Sequence, residues 1–210
     1  KRTAAQPEQR SYLDYALGLN LDSKQVLVTP ETALSFSAVY ASVRIISETI
    51  SQLPFNYYKK TKEGREVFKE SPLQFLVHDE PNGYQTKYIF FETLINTLLL
   101  YGNSYAYIER DTRGVPIALT LIHPDKVQVK VKNQRLLYEV RDQGIYDASD
   151  MIHILDMTLD GFVSRSRISV ARDNIALGIA AQKYGKSFFE SSAKLSGVLR
   201  HPGQLGADAM

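Results

Sequence analysis

A chain of 210 residues, 44% hydrophobic and 23% charged, is long enough for one well-cored domain with an extension. It contains no cysteine, which excludes disulfides, thiol catalysis and cysteine zinc sites. Its formal charge of +2 lacks the basic excess of a protein that grips DNA through many phosphates. No apolar run approaches a membrane span, no signal peptide is evident, and a start at Lys1 rather than Met leads us to expect a fragment of a longer protein.

Residues 1–33 are mixed and polar. "KRTAAQPEQR" reads as a flexible arm, "SYLDYALGL" as a short helical turn and "KQVLVT" as a short strand. Phe36, Val39, Tyr40, Val43, Ile46, Ile50 and Leu53 recur at three- and four-residue steps, which predicts a helix over 35–53, capped by Ser35 and stopped by Pro54. "PFNYYKK" reads as a strand closed by a turn around Gly64. A short helix in "SPLQFLVHDE" is followed by a turn at Pro81-Asn82-Gly83. Thr86 caps a second helix over 87–101, ended by Gly102. Its wide apolar face places Leu94 and Leu98 between a sheet and the first helix.

Strands follow. Tyr105 and Tyr107 alternate with Ala106 and Ile108, a hairpin turns at Gly114, and "IALTLI", the run Val127/Val129/Val131, "RLLYEV" and "DMIHIL" continue the pattern. The expected fold is α+β, a mostly antiparallel sheet packed on helices, followed by a long helix over 167–192 capped by Ser166. At 1.5 Å per residue that helix would reach roughly 35–40 Å. Val170, Leu177, Tyr184 and Phe188 share one face of it and are expected to pack on apolar surface. Arg172, Lys183, Lys186 and Glu190 lie opposite, a pattern that an ordinary solvated helix face also shows. Asn174, Gly178, Ala181 and Gly185 form a narrow stripe of small residues. Each glycine there costs about 1 kcal/mol against alanine, which points to a close neighbour.

Catalytic patterns are missing. The four histidines (His78, His123, His153, His201) have no metal-ligand spacing, and neither a nucleophile elbow nor a phosphate-binding glycine loop occurs. Asp147, Asp150, Asp156 and Asp160 are scattered near one turn and are expected to be solvated loop carboxylates, with a divalent-ion enzyme site as the rival. No cofactor or metal is expected, and no ATP hydrolysis.

In this order the elements resemble the portal proteins of tailed bacteriophages and prophages, over about residues 33–200. "ALSFSAVYASVRIISETISQLPFNYYKK" is similar to that family's first helix and strand, with Ser42 where cysteine is frequent. "EPNGYQTKYIFFETLINTLLLYGNSYAYIERDTRGVPIALTLIHPDKVQV" carries the resemblance furthest, through its P-N, T and G-N-S-Y-A-Y-I spacing, and "DMIHIL" matches a late strand. The family usually starts its stem helix with Gly-x-Ser-Pro-Ile. Here Ser164 stands at the glycine and Arg167 at the proline, while Ser166 and Ile168 are kept.

The resemblance implies an N-terminal arm at 1–33, a wing at 34–165, a stem helix at 166–195 and the start of a clip at 196–210. It implies a homo-oligomeric, typically dodecameric ring at one capsid vertex, through which double-stranded DNA is packaged and ejected. Its implied partners are the terminase large subunit, head-to-tail adaptors and capsid or scaffold protein, with no membrane. On the stem, Arg172, Lys183 and Lys186 would face the channel or solvent, and Asn174, Gly178, Ala181 and Gly185 would meet the next subunit. A near-neutral conduit lets DNA slide, because each phosphate contact adds a counterion-release term that holds it. The alternative is a monomeric, sequence-independent DNA-binding module using the basic helix face.

Overall fold

The computed structural model describes residues 27–190. Its first helix, α1 (Pro30–Ala33), is a single turn held by a capping box: Thr32 N–H donates to Thr29 Oγ1, and Thr29 N–H donates to Thr32 Oγ1. Val28 and Ala33 are buried with Ile168, Ile175 and Ile179, so the last residues of the expected arm belong to a core. The suggested "SYLDYALGL" turn and the first part of "KQVLVT" lie outside the described residues. Residues 27–29, its end, are not a strand.

Helix α2 (Ser37–Ser51) follows Phe36, which gives no side-chain cap. Ser35 is not the cap that its position promised. Its hydroxyl donates to the Thr32 carbonyl of the preceding turn, so it is not free for the next helix. Of the predicted stripe, Phe36, Val39, Val43 and Ile50 do pack on core clusters. Ser47 and Ser51 are fully buried, whereas Tyr40, Ile46 and Leu53 are exposed. The reason is close packing on α4 (Lys87–Tyr101). A row of serines lets the two backbones approach, and each hydroxyl is satisfied by a carbonyl three residues back, Arg44 or Glu48.

A small hairpin, β1 (Tyr58–Lys60) with β2 (Arg65–Val67), precedes α3 (Pro72–His78). Buried Gln74 of α3 ties the hairpin down: its Oε1 accepts from Tyr57 N–H at 2.6 Å and its Nε2 donates to Asn56. Helix α4 has the predicted bounds. Thr86 accepts from Ile89 N–H at one end, and Gly102 closes the other at φ 80°. Phe90, Leu94, Ile95 and Leu99 are buried with Leu76, Ala106 and Leu119. Leu98 is only half-buried at the margin.

Two three-stranded antiparallel sheets carry the rest, where one was expected. The first has the order β4 (Pro116–Ile122), β3 (Asn103–Arg110), β8 (Met151–Leu155). The second has the order β5 (Val127–Lys132), β6 (Arg135–Val140), β7 (Gly144–Asp147). Single 3₁₀ turns at Pro124–Lys126 and Ala148–Asp150 redirect the chain between them. Tyr105, Ile122, Tyr138, Val140 and Met151 form a second core from both sheets. The Pro81-Asn82 turn covers the outer edge of β4: Leu119 N–H donates to the Pro81 carbonyl, and Asn82 Nδ2 donates to the Leu119 carbonyl. An edge strand is thereby paired rather than left open. The long helix is broken at Ala171 into α5 (Arg167–Val170) and α6 (Arg172–Glu190).

Candidate functional site at the sheet-to-helix junction

Four segments meet where β3 begins and the long helix starts. Gly102, between α4 and β3, gives its carbonyl to Asp156 N–H at 3.0 Å. A Cβ on Gly102 would lie 2.5 Å from the Arg165 carbonyl oxygen and 2.9 Å from Ser166 N, so no other residue fits without moving backbone. Next to it, Asn103 acts like one rung of a β-ladder. Its Nδ2 donates to the Ser164 carbonyl and its Oδ1 accepts from Ser164 N–H, both at 2.9 Å. Ser166 Oγ donates to the Leu100 carbonyl while accepting from Ile168 and Ser169 N–H, so one hydroxyl both caps α5 and fastens it to α4.

Arg167 occupies the first helical position and reaches Asp156 with two guanidinium nitrogens, Nη2 to Oδ1 at 2.8 Å and Nε to Oδ2. The arginine holds the Asp156 carboxyl below its usual range. This ion pair supplies a fixed start to α5 where a proline would have supplied a fixed φ. The preceding loop is equally built. Asp160 Oδ1 accepts from Val163 N–H, Phe162 N–H and Thr158 Oγ1, which lowers its carboxyl.

His153 backs the junction. Its ring stacks on Tyr105 at 4.3 Å and meets Tyr138 edge-on at 5.5 Å. Asn103 Oδ1 can only accept, so the neutral ring carries its proton on Nε2 and leaves Nδ1 to accept from the Tyr138 hydroxyl, each contact 3.3 Å. Burial pushes His153 down from 6.5 to about 4. The unfolded chain therefore binds this proton before the folded one does. Its contribution is complete above about pH 6.5 and falls away as the pH drops toward 4, by roughly 3 kcal/mol. In urea titrations at pH 7 and pH 4.5, His153→Phe, which keeps the stacking, is expected to lose distinctly less stability on acidification than the parent.

Residues 37–210 match the sequence pattern of the family described as "Phage portal protein". The chain belongs to the phage portal protein family. It is 34% identical over 197 residues to the probable portal protein of Streptomyces phage phiC31, covering 87% of this chain and 43% of that one. It is 27% identical over 177 residues to the portal protein of Enterobacteria phage HK97, covering 82% and 42%. The chain thus spans less than half the length of these two curated relatives. Among solved structures, the HK97-family phage portal protein of Corynebacterium diphtheriae aligns with a TM-score of 0.56 at 16% identity, covering 87% of this chain and 57% of that one. The neck of an empty gene transfer agent particle, computed with C6 symmetry, aligns with a TM-score of 0.63 at 20% identity, covering 88% and 59%. At such identities the likeness is one of fold.

The residues that the sequence singled out on this portal chain lie as follows. Arg172, Lys183 and Lys186 are exposed on α6, and Lys186 pairs with Glu190 at 3.7 Å. Asn174 and Ala181 are exposed, and nothing lies within 4 Å of a Cβ placed on Gly185. Gly178 differs from these: its Cβ would sit 2.7 Å from Cζ of Phe36. Its close neighbour is therefore in its own chain, and a Gly178→Leu substitution would disturb that contact before any subunit contact. Val170, Leu177 and Tyr184 are exposed and are not part of the cluster on which the helix docks. The docked face is Ile168, Ile175 and Ile179, with Ala171 and Ala176, against Val28, Ala33, Phe36 and Val39. The spacing of the three isoleucines, seven and four apart, was the available signal.

The four aspartates are not brought together. Asp150 pairs with Arg110 at 2.9 Å, Asp156 with Arg167, and Asp160 holds its own loop, so three of the four have structural partners. Sequence reasoning missed the Asn103–Ser164 and Asp156–Arg167 links, since nothing in the spacing announces that residues 61 and 11 apart will meet.

Proposed function

We propose that this chain is the wing and first stem helix of a ring-forming portal, a conduit for double-stranded DNA at one capsid vertex and a platform for terminase and head-to-tail adaptors. In this reading residues 34–165 are the wing, 166–195 the stem helix and 196–210 the start of the clip, behind an N-terminal arm. The observation that carries the reading is the exposed apolar line Val170, Leu177 and Tyr184, on the flank of the long helix opposite its docked isoleucines. Such an apolar line needs a partner, and in a ring a neighbouring subunit or a second stem helix supplies it. The weak net charge suits passage of DNA rather than its retention. Arg172, Lys183 and Lys186 then face the channel or solvent.

Native mass measurement and negative-stain imaging of the full-length protein test this. Closed rings are expected as concentration rises. A protein that stays monomeric at every concentration and binds duplex DNA through Arg172 and Lys183 would instead be the monomeric DNA-binding module.

A further inference from the structure

Two unpartnered surfaces of the described chain carry opposite charge. The first is a groove of about 420 Å³ between the end of α3 and the start of α4. Phe75 and Tyr84 line it with rings that are 52% and 71% exposed, and Asp79 and Glu80 supply carboxylates. Among the described residues the His78 ring, at 3.1 Å, is the one ion-pair partner of Asp79, and Glu80 has none.

The second surface is the tip of the β5–β6 hairpin. Asn133 and Gln134 turn it with φ 50° and 61°, a tight two-residue turn. Lys132 and Arg135 stand directly opposite each other across it. Like charges in that register are destabilising. Two residues further back the hairpin does neutralise a cation, because Lys130 pairs with Glu139. Neither tip cation has an acidic partner among the described residues, and exposed Val131 lies beside them.

We infer that the β5–β6 tip of one subunit docks into the groove of the next, with Lys132 and Arg135 between Asp79 and Glu80 and over the faces of Phe75 and Tyr84. This rests on the ring reading above. A ring is built from a heterologous contact, which requires two different complementary surfaces on each copy, and here both lie on one chain. The fit is one of charge, with cations against carboxylates and aromatic faces, and such pairing fixes register and excludes wrong partners. A phosphate backbone would also satisfy the tip cations, but it would leave the acidic groove unexplained.

The test uses the full-length protein and two variants, K132E/R135E and D79K/E80K. All four residues are exposed, so melting temperatures are expected to stay near the parent's. Each variant alone is expected to need roughly tenfold or more protein to assemble, read as ring fraction by native mass or sedimentation. Mixing the two variants, or combining all four changes in one chain, is expected to restore rings, because every tip then meets a groove of opposite charge. Reversals that leave assembly unchanged, or deficits that mixing does not repair, overturn the docking. So does a K132E/R135E variant that forms normal rings but loses DNA affinity. If the parent itself forms no rings, the ring reading fails first and the docking falls with it.

Discussion

Phe90→Ala is expected to cost roughly 3–5 kcal/mol in a chemical denaturation experiment, the range for removing a fully buried aromatic ring. Phe90 is almost completely enclosed where α4 lies on the first sheet, in the cluster with Leu76, Leu94, Ala106 and Leu119. Its ring also meets Phe91 edge-on at 5.4 Å, and Phe91 stacks on Phe55 at 3.8 Å. The alanine therefore leaves a cavity at the inner end of an aromatic chain that ties residue 55 to α4. Leu98→Ala, at the half-buried margin, is expected to cost clearly less. Equal losses for the two would mean that α4 is rotated from the orientation described.

The contrast between these two positions shows what was legible in advance. The bounds of α4 could be read because each end has its own local chemistry: a threonine that caps and a glycine that adopts φ 80°. Which of its apolar residues lie deepest could not be read, because almost every side of α4 is apolar. On α2 the opposite happened. A clear apolar stripe was present, yet fully buried Ser47 and Ser51 mark the contact row, since the distance between two helices is set by the partner and not by the helix alone. Hydrophobicity predicts burial well only where packing distance is ordinary.

The same distinction applies to the junction. Ser166 was legible as a cap, a local signal, and it does cap α5. That its hydroxyl also donates to the Leu100 carbonyl 66 residues away was not. The split into two sheets depends on two 3₁₀ turns of three residues each, too short to leave a periodicity. Which face of α6 docks on its own chain could not be read, because Val170 and Leu177 are as apolar as Ile175 and Ile179. Only the position of Val28, Ala33 and Phe36 decides between them.

Gly102→Ala is expected to be the most damaging alanine replacement among the described glycines, and Gly114→Ala is its control. Both glycines adopt nearly the same backbone, φ 80° and 81°. Each alanine therefore carries about 1–2 kcal/mol of left-handed strain. The surroundings differ completely: nothing lies within 4 Å of a Cβ on Gly114, whereas one on Gly102 meets the Arg165 carbonyl at 2.5 Å. That neighbour is backbone, so no rotamer change relieves the overlap. Either the α4 terminus or the 165–166 segment must move, at an added cost of roughly 1–3 kcal/mol by the scale of overpacking. Movement there strains the Asn103–Ser164 and Ser166–Leu100 hydrogen bonds together, because all three contacts join the same two segments. The expected result is a loss of roughly 2–5 kcal/mol for Gly102→Ala against about 1–2 kcal/mol for Gly114→Ala in urea unfolding. On the ring reading proposed above, ring yield of the full-length protein is expected to fall for the first variant and not for the second, since a tilted long helix would misdirect the next subunit while a strained β3–β4 hairpin would not. Equal effects in both assays would show that the close approach at Gly102 does not set the direction of the helix.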